Sequence, residues 1–264
     1  MTAQTLIDSL EQLAPAAYAE GWDNSGLLIG DRNRNISKVY IALDADSRVI
    51  EAAAALGCDM LITHHPLIFS PLRQIVSDDF IGKRVLSLIE HHMNYYAMHT
   101  TFDAAVMGKI CADMLNIHIS RPLQPLEDPS LRRDDPMGGI GCIGEPETEI
   151  SLSELAGLIR DRFELPQIRF YGDPERHIRR IAMCPGSGKS LAALAVNSGA
   201  DVYVTGDIDH HLALDLLEQG VTSIDAGHHG LEHIYVDYMM RWFAGNHPEI
   251  RCFAGDNLSP FSVI

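Results

Sequence analysis

No CxxC pair occurs in the chain of 264 residues, and its five cysteines, Cys58, Cys111, Cys142, Cys184 and Cys252, are odd in number and scattered. A disulfide framework and a thiolate zinc site are both disfavoured, and a reducing compartment fits. No apolar run approaches the roughly 20 residues that span a bilayer. The first residues, Met1-Thr2-Ala3-Gln4-Thr5-Leu6, carry neither the basic stretch nor the apolar core of a secretory signal. A soluble, cytoplasmic chain with no membrane partner is therefore expected. Basic residues are also scarce: 20 Lys and Arg stand against 36 Asp and Glu, a formal net charge of −16. Such a surface repels phosphate backbones and disfavours nucleic acid as a partner. With 46% apolar and 21% charged residues, the composition is that of a folded globular protein.

Histidine, by contrast, is abundant. There are 13, several in pairs: His64-His65, His91-His92, His210-His211 and His228-His229. A second feature is internal repetition. Residues 38–63 align without a gap on 180–205 at a constant offset of 142, with Gly57 on Gly199, Asp59 on Asp201 and Thr63 on Thr205. The register extends back to Gly30-Asp31 on Gly172-Asp173. Forward of it, after a shortened connection, 95–99 pairs by pattern with 224–228.

Each half has one reading. An amphipathic helix comes first (5–18 and 151–163), with Ser151 and Glu154 in the S-x-x-E capping pattern. Two strands follow (26–30 with 39–43, and 168–171 with 181–184). Next is an alanine-rich helix ending at Gly57 or Gly199, where glycine can take the left-handed cap conformation. A short apolar strand (60–63 or 202–205), a helix and a last strand close the unit. Alternating strands and helices predict an α/β fold, internally duplicated, with two similar α/β domains and mainly parallel sheets. The first repeat spans 1–123, residues 124–146 read as a Pro-, Asp- and Gly-rich linker with a possible strand at 138–144, and the second repeat spans 147–264. The two repeats are expected to pack as one compact unit.

Parallel α/β sheets bind ligands beyond the carboxyl ends of their strands. His64-His65-Pro66 follows one such end, His99 to Asp103 another, Gly227-His228-His229-Gly230-Leu231-Glu232 a third, and Gly206-Asp207 with His210-His211 a fourth. His99 and Asp103 are four apart, as are His228 and Glu232, which places each pair on one face of a helical turn. Imidazole and carboxylate donors suit Zn, Mn, Fe, Co or Ni. Three histidines and two carboxylates, His64, His65, Asp103, His228 and Glu232, exceed what a single catalytic ion with open positions needs. They suit two divalent ions per chain, which would supply hydroxide at neutral pH and polarise a bound oxygen. Taken alone, each cluster is equally well a helix cap or an i,i+4 pair; their recurrence at equivalent strand ends favours metal.

The remaining histidines divide. His99 reads as a ligand, an orienting residue or a general acid/base, the last two preferred; His210 and His211 are pocket residues or a helix face. His99 and His210 are the candidate proton shuttles. His91-His92 reads as solvated surface, and His229 and His233 as bystanders. Pro185-Gly186-Ser187-Gly188-Lys189-Ser190 tempts towards a phosphate loop, but position 183 is Met where the P-loop spacing needs Gly. A tight turn into a helix is the better reading, an anion cradle the alternative. Trp22-Asp23-Asn24-Ser25-Gly26 reads as a polar, pocket-lining loop with an anchoring Trp.

These motifs, together with Ile62-Thr63-His64-His65-Pro66-Leu67-Ile68-Phe69 and Thr205-Gly206-Asp207, resemble nearly end to end those of the Nif-three-like family, the type 2 homologues of GTP cyclohydrolase I. The resemblance places the family's metal ligands on His64, His65, Asp103, His228 and Glu232. It implies two similar α/β domains facing a shared metal cleft, a chain of the short form without an inserted middle domain, and a toroidal homohexamer. The activity it implies is hydrolytic opening of the GTP purine ring, or of a related small molecule, by metal-activated water. A metal-dependent phosphoesterase or nucleotidase, and a non-catalytic metal-binding ring-shaped scaffold, are the alternatives.

Overall fold

The computed structural model of the chain describes residues 1–256 and 258–262. Two main sheets are built from β1 (Gly26–Ile29), β2 (Lys38–Ala42), β3 (Met60–Thr63), β4 (Asn94–Ala97), β5 (Ile117–Arg121), β6 (Cys142–Pro146), β7 (Arg169–Tyr171), β8 (Ile181–Ser187), β9 (Val202–Gly206), β10 (Thr222–Asp225) and β11 (Arg251–Ala254). The chain forms two compact units. The first comprises Met1–Phe102 and His233–Leu258; the second comprises Asp103–Glu232 and the stretch from Ser259. Residues 124–146 lie within the second unit, where they form β6, a helix over Pro129–Asp134, and a two-stranded ribbon of Gln124–Pro125 with Gly139–Ile140.

The first unit carries a five-stranded sheet in the order β1-β4-β3-β2-β11, parallel except for the β1/β4 pairing. Every residue of β3 and β4 is buried, as expected of strands covered on both faces. Tyr40, Ile50, Leu61, Val85, Leu88 and Tyr95 belong to the core that joins the sheet to helices Ser47–Ala55 and Phe80–Glu90. The first helix runs only over Ala3–Leu13, with a separate 3-10 turn at Ala16–Tyr18. Pro15 accounts for the break, since proline holds Ala14 away from helical backbone angles.

The second unit carries a six-stranded sheet in the order β7-β10-β9-β8-β6-β5. Only β8/β9 and β9/β10 pair in parallel; β7/β10, β6/β8 and β5/β6 are antiparallel. The expectation of mainly parallel sheets is corrected here: this sheet is mixed. Its antiparallel pairings come from β7 at one edge and from β5 and β6 at the other; the strand expected over 138–144 divides into Gly139–Ile140 and β6, and β5 lies outside the expected pattern.

Four strands in each unit follow one plan. β1-β4-β3-β2 and β7-β10-β9-β8 have the same order, one antiparallel pairing and two parallel ones. Local details recur at the offset of 142. Asp59 Oδ2 accepts from the amides of Ser37 and Lys38 at 2.8 and 2.9 Å, and Asp201 Oδ2 from those of Arg179 and Arg180 at 2.9 and 2.8 Å. Gly57 and Gly199 close their helices at φ +64 and +73. Ser151 and Glu154 make the expected capping box. The forward pairing of 95–99 with 224–228 is corrected by one residue. Ala97 lies opposite Thr63, and Asp225 opposite Thr205, so the offset there is 225 − 97 = 128 and His99 corresponds to Gly227.

No helix among the described residues is long and apolar enough to cross a membrane. Cys58, Cys111, Cys142 and Cys184 are buried and Cys252 is partly so. Burial pushes the thiols of Cys58 and Cys252 up to about 11 and that of Cys142 up to about 12. At pH 8 the native chain should therefore present no more than one thiol to Ellman's reagent within minutes, and five after denaturation; two or more fast-reacting native thiols would contradict this packing.

Candidate metal centre

In the first unit the carboxyl ends of β3 and β4 bring three histidines together. His64, His65 and His99 each offer a ring nitrogen, and these atoms lie within 4.8 Å of one another. His64 is fully buried. Its Nδ1–H donates to the Met98 carbonyl at 3.0 Å, and its ring lies 5.3 Å from that of Tyr235 and 6.1 Å from that of Phe102. The Nδ1–H of His65 donates to Asp44 Oδ1 at 2.9 Å, and that of His99 to Asp23 Oδ1 at 2.8 Å. A proton held on Nδ1 puts the lone pair on Nε2, the orientation that outer partners impose on metal-binding histidines.

The turn that carries His64 and His65 is pinned by Tyr95. Its hydroxyl donates to the His65 carbonyl at 2.9 Å and accepts from the Leu67 amide at 2.7 Å, while Thr63 Oγ1 lies 2.8 Å away. Burial raises the Tyr95 phenol above its ordinary range, so it stays a neutral hydrogen-bonding group. Asp23 is the corresponding anchor for His99. Its side chain is fully buried and also accepts from Ser25 Oγ at 2.6 Å, Thr100 Oγ1 at 2.7 Å and the Thr100 amide at 3.1 Å. Burial works to raise this carboxyl, but the hydrogen bonds from His99, Ser25 and Thr100 outweigh it and hold Asp23 well below the usual carboxylate range.

In the second unit the helix His228–Glu232 follows β10. His228 Nε2 lies 3.0 Å from Glu232 Oε2, and His228 Nδ1–H donates to Asp207 Oδ2 at 3.0 Å. Asp207, just past β9, holds a left-handed backbone at φ +57. Glu232 is buried. Two ligands at about 2.1 Å from one ion and about 90–110° apart are separated by about 3.0–3.4 Å, so the His228–Glu232 pair is spaced as neighbouring ligands are. Asp103 opens this unit on a π-helical turn over Asp103–Met107, a backbone form that recurs at functional positions. Burial, and after it the Asp103 and Glu232 carboxylates among other groups, raise the thiols of Cys111 and Cys184. Both acids therefore bear on the same buried corner of this unit.

The Gly186-Ser187-Gly188 segment has a structural role here. The Gly188 amide donates to Thr205 Oγ1 at 2.9 Å, Thr205 Oγ1 donates to the Gly186 carbonyl at 3.2 Å, and the Tyr203 hydroxyl donates to the Gly188 carbonyl at 2.7 Å. The turn is thus closed on its own strands. Gly186 sits at φ +72, and a Cβ there would overlap the Glu232 carboxylate. Gly186→Ala is expected to cost about 1–2 kcal/mol from the backbone alone and, by displacing Glu232, to weaken metal retention. Thermal unfolding and elemental analysis of the variant measure the two effects separately; unchanged metal content would remove Gly186 from the site.

The other candidates fall outside these groups. His210 and His211 are exposed at the start of the helix His210–Glu218, with ring centres 5.4 Å apart. His91 and His92 are exposed. Sequence reasoning did not single out Asp44 and Asp207 as histidine partners, nor the role of Asp23. Asp44 could have been found by applying the strand-end rule to β2, which it follows by two residues.

The donor chemistry fits a divalent ion of the Zn, Mn, Fe, Co or Ni group, since each unit offers imidazole or carboxylate atoms with oriented outer partners. The whole chain carries the pattern of one family. The family model for Duf34/NIF3 (NGG1p interacting factor 3) matches residues 1–255, and the chain belongs to that family. It is 34% identical over 233 residues to the "GTP cyclohydrolase 1 type 2 homolog" of Clostridium perfringens, covering 88% of this chain and 87% of the relative. The crystal structure of Staphylococcus aureus hypothetical protein SA1388 is similar with a TM-score of 0.86 and 30% identity, over 100% of this chain and 99% of that one. A Bacillus cereus protein related to NIF3 shares the fold with a TM-score of 0.86 at 23% identity, over 100% and 99% of the two chains.

Proposed function

We propose that the chain is a dinuclear divalent-metal-dependent hydrolase acting on a nucleotide or related small molecule, with GTP ring opening, the activity in the relatives' name, as the first candidate. His64, His65, Asp103, His228 and Glu232 would hold the ions. The observation that supports this most is the shared anchoring of His64, His65 and His228, each with Nδ1–H on a carbonyl or carboxylate and Nε2 carrying the lone pair. When bound, the ions supply Lewis-acid polarisation and an activated water at neutral pH.

The chain's own residues do the rest. Met98, Asp44 and Asp207 fix the ring orientations of His64, His65 and His228. Asp23 holds the Nδ1 proton of His99, so His99 takes and returns a proton at Nε2. His99 is better placed for this than His210, because its ring lies 5.3 Å from that of His64 and 5.6 Å from that of His65. The same reading includes descent by internal duplication, supported by the recurrent strand plan and the Asp59 and Asp201 anchors, a shared cleft for the ligands, and a toroidal homohexamer as the working assembly. The phosphoesterase alternative is weakened because its anion cradle would need the Gly188 amide, which Thr205 already takes.

The test is to purify the protein without added metal, count ions per chain by elemental analysis, and incubate the loaded protein with GTP. About two ions per chain and release of formate support the proposal. Orthophosphate or nucleoside as the product would move it to ester cleavage. Absence of metal that Mn, Zn and Fe cannot restore would move it to a binding or scaffold role.

A further inference from the structure

Two large aromatic side chains stand in solvent beside the histidine group of the first unit. Trp22 is 64% exposed and Phe69 53%. Leaving such surface in water forgoes burial worth about 1.5–3 kcal/mol per side chain, so the placement calls for an explanation. Both rings meet the same partner. The Trp22 and His99 ring centres are 5.8 Å apart at 74°, and those of Phe69 and His99 are 5.7 Å apart at 86°. Neither ring is stacked flat on the imidazole.

The segments that carry them are tied together by hydrogen bonds. Asp23, next to Trp22, is fixed by Ser25, Thr100 and His99. Asn24 Nδ2 donates to the Ile68 carbonyl at 2.6 Å, which ties the Trp22 loop to the residue before Phe69. The Glu20 amide donates to Thr100 Oγ1 at 3.0 Å on the other side of the loop. Two exposed aromatics on cross-linked loops, each against the ring assigned to move the proton, have the form of a stacking site. Phe80 makes the contrast: it is 66% exposed, but the Arg84 guanidinium lies over its ring at 5.3 Å.

We infer that Trp22 and Phe69 form an aromatic grip that takes a planar nitrogen-heteroaromatic ring, of purine or pteridine size, and presents it to His99. Ring stacking on aromatic side chains tolerates many ring identities and gains most of its strength from the shared planar area. The inference rests on the hydrolase reading and narrows its substrate class: ring recognition, not phosphate recognition, selects the ligand in this unit.

The test uses the metal-loaded full chain carrying Trp242→Phe, so that Trp22 is the sole tryptophan, since the chain has two. Guanosine is the planar probe and ribose 5-phosphate the ringless one. Guanosine should quench Trp22 emission saturably, ribose 5-phosphate should not, and Phe69→Ala should weaken the guanosine response about tenfold or more. Equilibrium dialysis of guanosine should give a similar loss for Trp22→Ala and a large recovery for Trp22→Phe, with circular dichroism reporting the fold. Equal binding by wild type, Trp22→Ala and Phe69→Ala would overturn the inference, as would no quenching by guanosine, pterin or flavin mononucleotide. It would also be overturned if Trp22 were shielded from acrylamide and Trp22→Ala dissociated the assembly, because a second copy of the chain would then cover the pair. Ion content is measured on the same samples. Bound metal with hydrolysis indifferent to the aromatic variants removes the grip and leaves the hydrolase; ring binding without metal keeps the grip and removes the hydrolase.

Discussion

Glu232→Ala should lose at least one divalent ion per chain relative to wild type when both are purified without added metal. The carboxylate is buried, pairs with His228 Nε2 at 3.0 Å, and acts on the same thiols as Asp103. Removing it deletes one of the proposed ligands and the carboxylate spaced against His228 Nε2. The effect should appear also in stability. An ion that binds only the folded state adds RT ln(1 + [L]/Kd), about 4 kcal/mol at a thousandfold excess over Kd. Adding Mn, Zn or Fe to the stripped wild type should raise its melting temperature by several degrees and that of Glu232→Ala by much less. Without metal the variant should be no less stable than wild type, since a buried acid near a second acid does not favour folding. A variant that retains the wild-type ion count and the wild-type thermal response would exclude Glu232 as a ligand. Asp207→Asn provides a graded companion: loss of an outer partner commonly weakens metal affinity by about 10–100-fold, so the ion should dissociate under mild chelation and return when metal is resupplied.

The largest effect on the metal-free fold should come from Asp23→Ala. Asp23 gathers four donors on a fully buried side chain: Ser25 Oγ, the amide and Oγ1 of Thr100, and His99 Nδ1. Truncation strands those donors, and removing one member of a buried charged network costs about 3–5 kcal/mol. The pH dependence has a definite sign. The carboxyl in the folded chain is held well below its ordinary value, because the hydrogen bonds exceed the opposing burial effect. Its contribution is therefore fully present above the unfolded value of about 3.9 and fades as pH falls below it towards the folded value. Urea titrations of wild type and Asp23→Ala should differ by about 3 kcal/mol at pH 7, and the gap should hold down to about pH 4 and narrow steadily below it. A difference under about 1 kcal/mol at pH 7, or one independent of pH, would show that the network does not hold the loop. Asp23→Asn separates charge from shape: its amide can keep the hydroxyl contacts only by turning its oxygen to them, which sets its NH2 against His99 Nδ1–H.

Much of this arrangement is legible in the residues alone, because strand ends are readable. The apolar run 60–63 ends where predicted and 202–205 extends by one residue to Gly206, and His64, His65, His228 and Glu232 follow strands at the carboxyl edge. Gly57, Gly199 and the Ser151–Glu154 box are local signals with local consequences, and each appears as the sequence pattern implies. What stays hidden is set by long-range pairing. Asp44 meets His65 over 21 residues and Asp23 meets His99 over 76; no spacing rule connects such positions. The mixed sheet of the second unit escapes for a similar reason. β6 lies in, and β5 next to, a stretch rich in proline, glycine and aspartate, where composition gives a connection with one short strand, and only the β6/β8 and β5/β6 pairings make an edge.

The one-residue offset between β4 and β10 in the position of the following histidine changes where that histidine points. Successive residues on a helical turn point about 100° apart. His99 corresponds in register to Gly227, and His228 to Thr100. One extra residue between the last strand and its histidine therefore re-aims the side chain in the second unit while the order of the four strands stays the same. The two units thus differ, one imidazole tied to a buried acid and the other paired with a glutamate, on the same strand order by a change of phase alone.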